Sequence, residues 1–455
     1  MVTEAITNFV NAVRYSQLLR VLLIGFLVLL LQIPIAMIEG LIRERTTTRD
    51  QAVEEVTGKW GNRQNVVGPV MVVPYVVRSV EEGESGQKKV RTSVRSASFL
   101  PETLRVDGRI DSQIRYRGIF GVPVYRMDLT VKGRFPRPDF SDWGVKAEDI
   151  QWERVELWVG ISDARAIQSQ TSLSWSGSPI PFQPGSGERA DGRSGIHVSL
   201  KGRLGGNGYD FSFPLVLNGS VGAFFAPLGK ETTVTLKSNW SSPSFQGEWL
   251  PVERTVKDDG FEARWVIPSL GRNYPQSWTS TSAAGKAMDE SKFGVDLLAS
   301  VDPYRMSERS VKYEHLFLLL TFLSLWLFEI LAGRRLHSLQ YLLVGAAMCV
   351  FYLLMLSLAE HLGFLSAYLL ASLMVVGLIT AYCAAILKRA GWTSVMGGLL
   401  AALYAYLYIL LTNEDYALLI GSVGLFLVLA AVMYLTRRTD WTAAGMAKSK
   451  PQGHG

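Results

Sequence analysis

The chain has 455 residues, a net charge of +6 at pH 7, and 48% hydrophobic residues. A pI near 9.1 suits a nucleic-acid-binding protein, but much of the basic excess flanks long apolar runs, so membrane topology explains the charge and we exclude nucleic acid as a partner. The two cysteines, Cys349 and Cys383, both fall inside apolar runs. This excludes a disulfide framework or a thiolate metal site in the polar part of the chain.

Six apolar runs approach the ~20 residues that a helix needs to cross a bilayer. One is near the start and five lie in the last third, so the sequence predicts a membrane α-helical bundle of six transmembrane helices and the lipid bilayer as a partner. The first run exceeds the core of a cleaved signal peptide, and we predict an uncleaved signal anchor. The runs are 20–38, 316–333, 340–358, 365–386, 395–412 and 418–436.

Basic residues flank alternate connectors between these runs. Lys and Arg stay preferentially on the cytoplasmic side, whereas the connectors around Glu360 and around Glu414 contain neither. We therefore predict a bacterial inner-membrane protein with both termini cytoplasmic and a periplasmic segment between the first two spans. The flanking basic residues are Arg14, Arg20, Arg334, Arg335, Lys388, Arg389, Arg437, Arg438, Lys448 and Lys450.

These features predict four parts of the chain. Residues 1–40 are the cytoplasmic N terminus and the signal-anchor helix, and residues 41–312 are a β-rich periplasmic domain. Residues 313–436 are a five-helix transmembrane bundle, and residues 437–455 are a cytoplasmic tail, disordered after Thr439. Residues 40–57 are charged and compatible with helix, so we expect them to continue the first helix as a stalk.

The periplasmic segment shows the pattern of a β domain. Short alternating or β-rich runs separated by Gly, Pro, Asn and Asp predict an antiparallel sandwich or one large twisted sheet. Three pairs predict tight hairpin turns, because they supply residues that tolerate positive φ: Asp107-Gly108, Asn218-Gly219 and Asp259-Gly260. The predicted strands are 66–78, 113–118, 124–132, 152–162, 196–200, 210–217, 231–237 and 261–267.

Motifs of catalysis are missing from the sequence. It contains no G-x-x-x-x-G-K-[ST] loop, no H-E-x-x-H pair and no G-x-S-x-G elbow, so we predict no enzyme, no cofactor and no metal site. The histidines have no paired spacing, and they are His197, His315, His337, His361 and His454.

Three polar residues near the ends of predicted spans are candidate functional residues: Glu329, Glu360 and His361. Ionisable groups at membrane depth are costly and therefore mark functional sites. The alternative is that Glu360 and His361 lie wet and unpaired at the interface, and that Glu329 only pairs with Arg334 and Arg335.

Eight of the nine tryptophans in residues 41–312 allow two interpretations. Exposed indoles are able to stack on sugars of the cell wall, whereas buried indoles would form the core of the sheets. The alternating run around Trp265 favours core. The residues are Trp143, Trp152, Trp158, Trp175, Trp240, Trp249, Trp265 and Trp278.

The stretch Val67–Tyr75, VGPVMVVPY, resembles an early motif of the CreD family, and further matches follow along nearly the whole chain. Phe120 stands where the family pattern has Tyr, and Ser241-Ser242 where it has a basic residue. The further matches include Leu100-Pro101-Glu102, Arg115–Phe120, Ser162-Asp163-Ala164-Arg165, Ser238-Asn239-Trp240, Arg335-Leu336-His337, Gln340–Gly345, Phe351–Leu354, Glu360-His361 and Gly363-Phe364.

The resemblance implies an inner-membrane protein with a large periplasmic domain. It also implies expression under a two-component stress system and a link to envelope integrity, colicin tolerance and β-lactam response. It supplies no catalytic residues. We therefore expect a non-enzymatic envelope-integrity protein whose periplasmic domain engages an envelope component, a periplasmic partner or another membrane protein.

Two alternatives remain open. One is a transporter or flippase that moves a lipid or small solute through the helix bundle, although the spans show no inverted repeat. The other is a stress sensor, whose cytoplasmic segments are too short for a signalling domain and which would need a membrane partner.

Overall fold

The computed structural model describes residues 17–82, 88–187, 194–279, 284–297, 303–332, 336–387 and 390–437. Several of the basic residues from which we predict the membrane orientation lie outside these ranges, namely Arg14, Arg334, Arg335, Lys388, Arg389 and those in the tail from Arg438 onward. The chain divides into two compact units, which we call the helical unit, Met1–Arg49 with Val301–Gly455, and the strand unit, Asp50–Ser300. The predicted domain limits, 41 and 312, lie within about a dozen residues of these boundaries.

The apolar runs form helices, as predicted. Among the described residues, five helices are long and apolar enough to cross a membrane, or six if α3 and α4, bent by 49° at Tyr313, count as one span. Residues 40–57 continue the first helix, as predicted. The helices are α1 Gln17–Trp60, α2 Ala284–Glu290, α3 Pro303–Lys312, α4 Glu314–Ala332, α5 Ser338–Leu362, α6 Phe364–Leu387, α7 Ala390–Thr412 and α8 Ala417–Thr436.

The strand unit contains two sheets of nine and eight strands among its described residues. The strands are β1 Gln64–Glu82, β2 Lys88–Phe99, β3 Thr103–Arg117, β4 Phe120–Pro136, β5 Glu156–Ile161, β6 Ser172–Trp175, β7 Ser178–Pro181, β8 Gln183–Pro184, β9 Gly195–Ser199, β10 Gly208–Ser220, β11 Gly222–Phe225, β12 Glu231–Ser238, β13 Pro243–Gly247, β14 Glu253–Lys257, β15 Gly260–Pro268, β16 Ser277–Thr279 and β17 Phe293–Leu297.

Both sheets are mixed rather than purely antiparallel. The larger sheet has the order β13-β17-β11-β1-β5-β9-β8; in addition, β2 pairs with the C-terminal part of β1, and β16 pairs with β2. The smaller sheet has the order β14-β15-β12-β3-β4-β10-β6-β7. β1 is parallel to β11, and β3 is parallel to β12. The predicted β-rich domain is confirmed, with these two parallel pairs as a departure from the antiparallel pattern.

A single hydrophobic core takes residues from both sheets. In β12 and β15 the buried side chains alternate, and Trp265 opposite Val234 is fully buried. In β5 and β11 the run is buried almost without interruption, which is typical of strands covered on both faces. The eight tryptophans named above lie in this core or pack against it, so the core interpretation is confirmed for them.

Two of the three predicted turns are wrong, and both failures have the same physical cause. Gly108 lies inside β3, where a Cβ would be 2.7 Å from methyl groups of Leu129 and Leu236. Gly219 lies inside β10 against the ring of Tyr125. These glycines make room for neighbouring side chains instead of reversing the chain. The third turn forms one residue earlier than predicted: Lys257 pairs with Gly260, so the loop is Asp258-Asp259 and Gly260 begins β15.

The last turn of α1 is fixed to the strands that surround it. The indole Nε1 of Trp60 donates to the Tyr125 backbone oxygen at 3.1 Å, and the Arg115 guanidinium lies 3.8 Å from the centre of the indole. Arg117 Nε donates to Glu55 at 2.9 Å. The tip of the β3–β4 hairpin therefore packs along the last turns of this helix.

The next residues continue the attachment through the Ser162–Arg165 segment. Ser162 Oγ donates to the Arg63 backbone oxygen at 2.7 Å and accepts from the Asn65 backbone N–H at 2.9 Å. Asp163 accepts from Asn62 and makes two bonds with Arg165, at 2.9 and 3.1 Å. The hydrogen bond from Arg165 holds the pKa of Asp163 below its usual range, against the opposing effect of burial.

Substitution of Gly61 by Ala should destabilise the strand unit. Gly61 has φ +143°, and a Cβ would lie 2.8 Å from the Asn218 backbone oxygen and 2.9 Å from the Ala166 Cβ. We expect a loss of about 1–3 kcal/mol, seen as a lower melting temperature of the full chain in detergent by tryptophan fluorescence. Gly205→Ala is the control, because nothing lies within 4 Å of its added Cβ. Equal melting temperatures for the two variants would contradict this account.

Acid should weaken the strand unit partly through Asp163. Because its pKa is lowered in the folded state, its contribution is complete above the unfolded value, about 3.9, and is lost as pH falls through the folded value. Asp163→Asn should lower stability at neutral pH and flatten the loss of stability between about pH 5 and pH 2. Denaturant midpoints across pH test this, with Asp210→Asn, at a 74% exposed side chain, as control.

Candidate functional site in the helical unit

Glu360 lies in the last turn of α5, and its side chain is largely buried, with 8% exposed. Its Oε1 accepts a 2.9 Å hydrogen bond from the Tyr304 hydroxyl of α3 and lies 3.6 Å from Arg45 Nε of α1. The Arg49 guanidinium is 5.6 Å from the centre of the Tyr304 ring. A buried carboxylate is tolerated where hydrogen bonds and a cation compensate its lost hydration. Glu360 is therefore paired rather than wet.

His361, the next residue, is exposed. The structure does not bury the two neighbours as an acid–imidazole pair, although they are adjacent in sequence. The reason is the 100° rotation between successive helix residues, which directs Glu360 toward α1 and α3 and His361 outward.

Glu329 is the third predicted residue, and it is also buried, with 6% exposed. Its Oε2 accepts from the Tyr341 hydroxyl of α5 at 3.3 Å. Its proposed partners Arg334 and Arg335 lie outside the described residues. Tyr341 and Glu360 are separated along α5 by roughly 28 Å at 1.5 Å per residue. The structure therefore places Glu329 and Glu360 at opposite ends of the helical unit and not in one site.

A further ion cluster joins α3 to the loop between α7 and α8. Arg305 Nη2 donates to both oxygens of Glu414 at 2.8 Å, and Arg309 Nη1 donates to one of them at 3.2 Å. The hydrogen bond from Arg305 lowers the pKa of Glu414. Sequence reasoning missed this cluster, since its arginines lie more than a hundred residues away in the chain.

Glu314, at the first position of α4, was also missed. It is 1% exposed, yet it falls two residues before the apolar run predicted at 316. Within the part of the chain that the structure describes, no group of three or more His, Cys, Asp or Glu could hold a metal ion. Cys349 and Cys383 are buried and free.

The helices and sheets together define a class: a polytopic membrane protein that carries a large β-rich domain inserted between its first and second spans. The family described as "Inner membrane protein CreD" matches residues 16–442. The "Inner membrane protein CreD" of Escherichia coli (strain K12) is 34% identical over 430 residues, which cover 93% of each chain. The chain belongs to the CreD family.

Removal of the Tyr304 hydroxyl should destabilise the helical unit, because Glu360 would lose its hydrogen-bond donor from α3. Loss of a bond to a charged, buried acceptor costs about 1.5–3 kcal/mol. We expect Tyr304→Phe to lower the melting temperature of the full chain in lipid nanodiscs. Tyr416→Phe, at a 64% exposed tyrosine, is the matched control and should stay close to the parent chain. A Tyr304→Phe protein as stable as the control would show that this bond contributes nothing.

Proposed function

We propose that the protein is a non-enzymatic component of the bacterial inner membrane that maintains the cell envelope under stress, including colicin and β-lactam stress. In this proposal α1 is an uncleaved anchor, both termini are cytoplasmic and the strand unit is periplasmic. Membership of the CreD family supports the membrane role, and the alternation of basic and non-basic connectors supports the orientation. The strand unit engages an envelope component or a partner protein.

The partner-binding part of the proposal depends on one edge of the smaller sheet, which no other described strand covers. β14 is the last strand of that sheet and pairs on one side with β15. All five of its residues are exposed. An unpaired edge presents backbone donors and acceptors that an extended segment of a partner is able to join as a further strand.

Apolar side chains surround this edge. Leu250 is 66% exposed, Val252 is 61% exposed and Val256 is 48% exposed. A cluster of exposed apolar residues beside an open strand is typical of an interaction surface. Three charged residues in β14, Glu253, Arg254 and Lys257, limit indiscriminate pairing and favour a partner with matching charges.

Survival of a deletion strain under envelope stress tests this proposal. A full chain with Leu250→Glu, Val252→Glu and Val256→Glu should insert normally and yet fail to restore survival, because these charges disturb the edge. The matched control is Val90→Glu with Val94→Glu, at side chains 59% and 52% exposed in β2 of the other sheet, which should rescue. Immunoblots of membrane fractions verify equal insertion. Full rescue by the edge variant would contradict the proposed surface.

The second candidate function is transport of a lipid or small solute by the helix bundle. It is favoured by the 49° break between α3 and α4 together with the buried acid Glu329 and the largely buried side chain of Glu360, because broken spans and interior charges are typical of transport pathways. Residues 41–312 tethered by an unrelated membrane helix distinguish the two functions. Rescue by the tethered unit favours the envelope role, whereas no rescue by a tethered unit that is exported and resists protease favours transport and makes Glu329, Glu360 and His361 the residues to vary.

A further inference from the structure

The break between α3 and α4 places an acidic side chain in the interior of the helical unit. Glu314 is the first residue of α4 and directly follows the bend at Tyr313. It is 1% exposed, and neither carboxylate oxygen accepts a hydrogen bond from a described residue. In this respect it differs from Glu329 and Glu360, which both accept from a tyrosine hydroxyl.

Contacts between α1 and α5 show which parts of these two helices lie beside Glu314. Gly345 of α5 leaves room for Leu31 of α1. Fifteen residues later in α5, Glu360 contacts Arg45, which lies fourteen residues after Leu31 in α1. The two helices therefore run side by side in the same direction. Glu314 lies close to Gln32 of α1 and to Cys349 of α5. Cys349 is near the middle of the 25 residues of α5, so Glu314 packs against the central part of that helix.

The surroundings of Glu314 offer little to stabilise a negative charge. Gln32 Nε2 donates to the Val28 backbone oxygen at 3.2 Å, and the Gln32 side chain also lies beside the Glu314 carboxyl group. His315 Nδ1 lies 3.4 Å from Glu314 Oε2, but the imidazole is 62% exposed. The other titratable groups that face Glu314 from the helices packed against it are Glu39 of α1 and Cys349 and Tyr352 of α5, and none of these is cationic.

One feature nevertheless makes the ionised form accessible. The start of a helix carries the positive end of its dipole, and Glu314 is the acidic residue in the first turn of α4. Burial destabilises the charged form of a carboxyl group, and the start of a helix partly stabilises it. A carboxyl group in such surroundings is suited to bind and release a proton. A metal ion is less suited, because fewer than three His, Cys, Asp or Glu side chains converge here among the described residues.

We propose that Glu314 is a proton-binding site at the break of this membrane span. At neutral pH the carboxyl group holds a proton, and at higher pH it releases the proton and becomes an anion at the start of α4 beside His315. This inference concerns the helical unit alone and does not depend on the proposed envelope function.

Infrared difference spectra of the full chain in lipid nanodiscs test the proposal directly. Protonated carboxyl groups have a C=O stretch distinct from the carboxylate bands, and this stretch shifts in D₂O. The parent chain should show the band at neutral pH and lose it as pH rises. Glu314→Gln should lack it, and Glu308→Gln should retain it, because Glu308 is 60% exposed and pairs with Lys312. A band absent from the parent chain, or retained in Glu314→Gln, would overturn the proposal.

A second measurement uses the parent chain only, in case Glu314→Gln does not fold. Dicyclohexylcarbodiimide reacts with protonated carboxyl groups in apolar surroundings and leaves an adduct that mass spectrometry locates. At neutral pH we expect Glu314 to be modified at least about tenfold more than Glu308, with modification decreasing as pH rises. Equal or lower modification of Glu314 overturns the proposal. Loss of the infrared band on addition of Na⁺ or K⁺ at fixed pH would also overturn it, since a metal cation would then be the ligand.

Discussion

Hydrogen bonds between buried polar groups fix the end of α1 into the strand unit, and the arrangement of that unit depends on them. Gln64 is fully buried and donates to the Asn218 backbone oxygen at 3.0 Å, and Ser220 Oγ donates to the Gly61 backbone oxygen at 2.8 Å. An unsatisfied buried group costs about 1–3 kcal/mol. A shift of β1 by one residue would break these bonds and turn its apolar side chains to the wrong face. Since β1 lies at the centre of the larger sheet, its register determines that of its neighbours.

The helical unit shows three solutions to one problem, the burial of a carboxylate. Glu360 has a tyrosine hydroxyl and an arginine, and Glu329 has a tyrosine hydroxyl. Glu314 has the side chain of Gln32, an exposed imidazole and the start of its own helix. The first arrangement joins three helices. The surroundings of Glu314 do not fix its charge state. The chemistry of each carboxyl group therefore follows from the hydrogen-bond donors around it and not from its burial alone.

The large features of this fold are predictable from the sequence because each depends on local pattern. The apolar runs predict the spans, and alternation predicts strands such as β12 and β15. Prediction fails where a residue's role depends on distant neighbours. Gly108 has the chemistry of a turn residue, but Leu129 and Leu236 require the space that it leaves. Glu360 and His361 are adjacent in sequence, yet helix rotation separates them, and the donor to Glu360 comes from Tyr304.

The strand unit begins and ends at neighbouring places. Arg63, just before β1, pairs with Asp296 of β17 at 2.5 Å, and both β1 and β17 border the short strand β11. The first strand of the sheet and the last therefore meet across β11, although more than two hundred residues separate them in the chain. At roughly 5–20 residues per second of synthesis, the ribosome needs on the order of ten seconds or more to make β17 after β1. Throughout that interval the apolar surface of β1 lacks its final neighbours, and the time available for misfolding is set by the order of the strands in the gene.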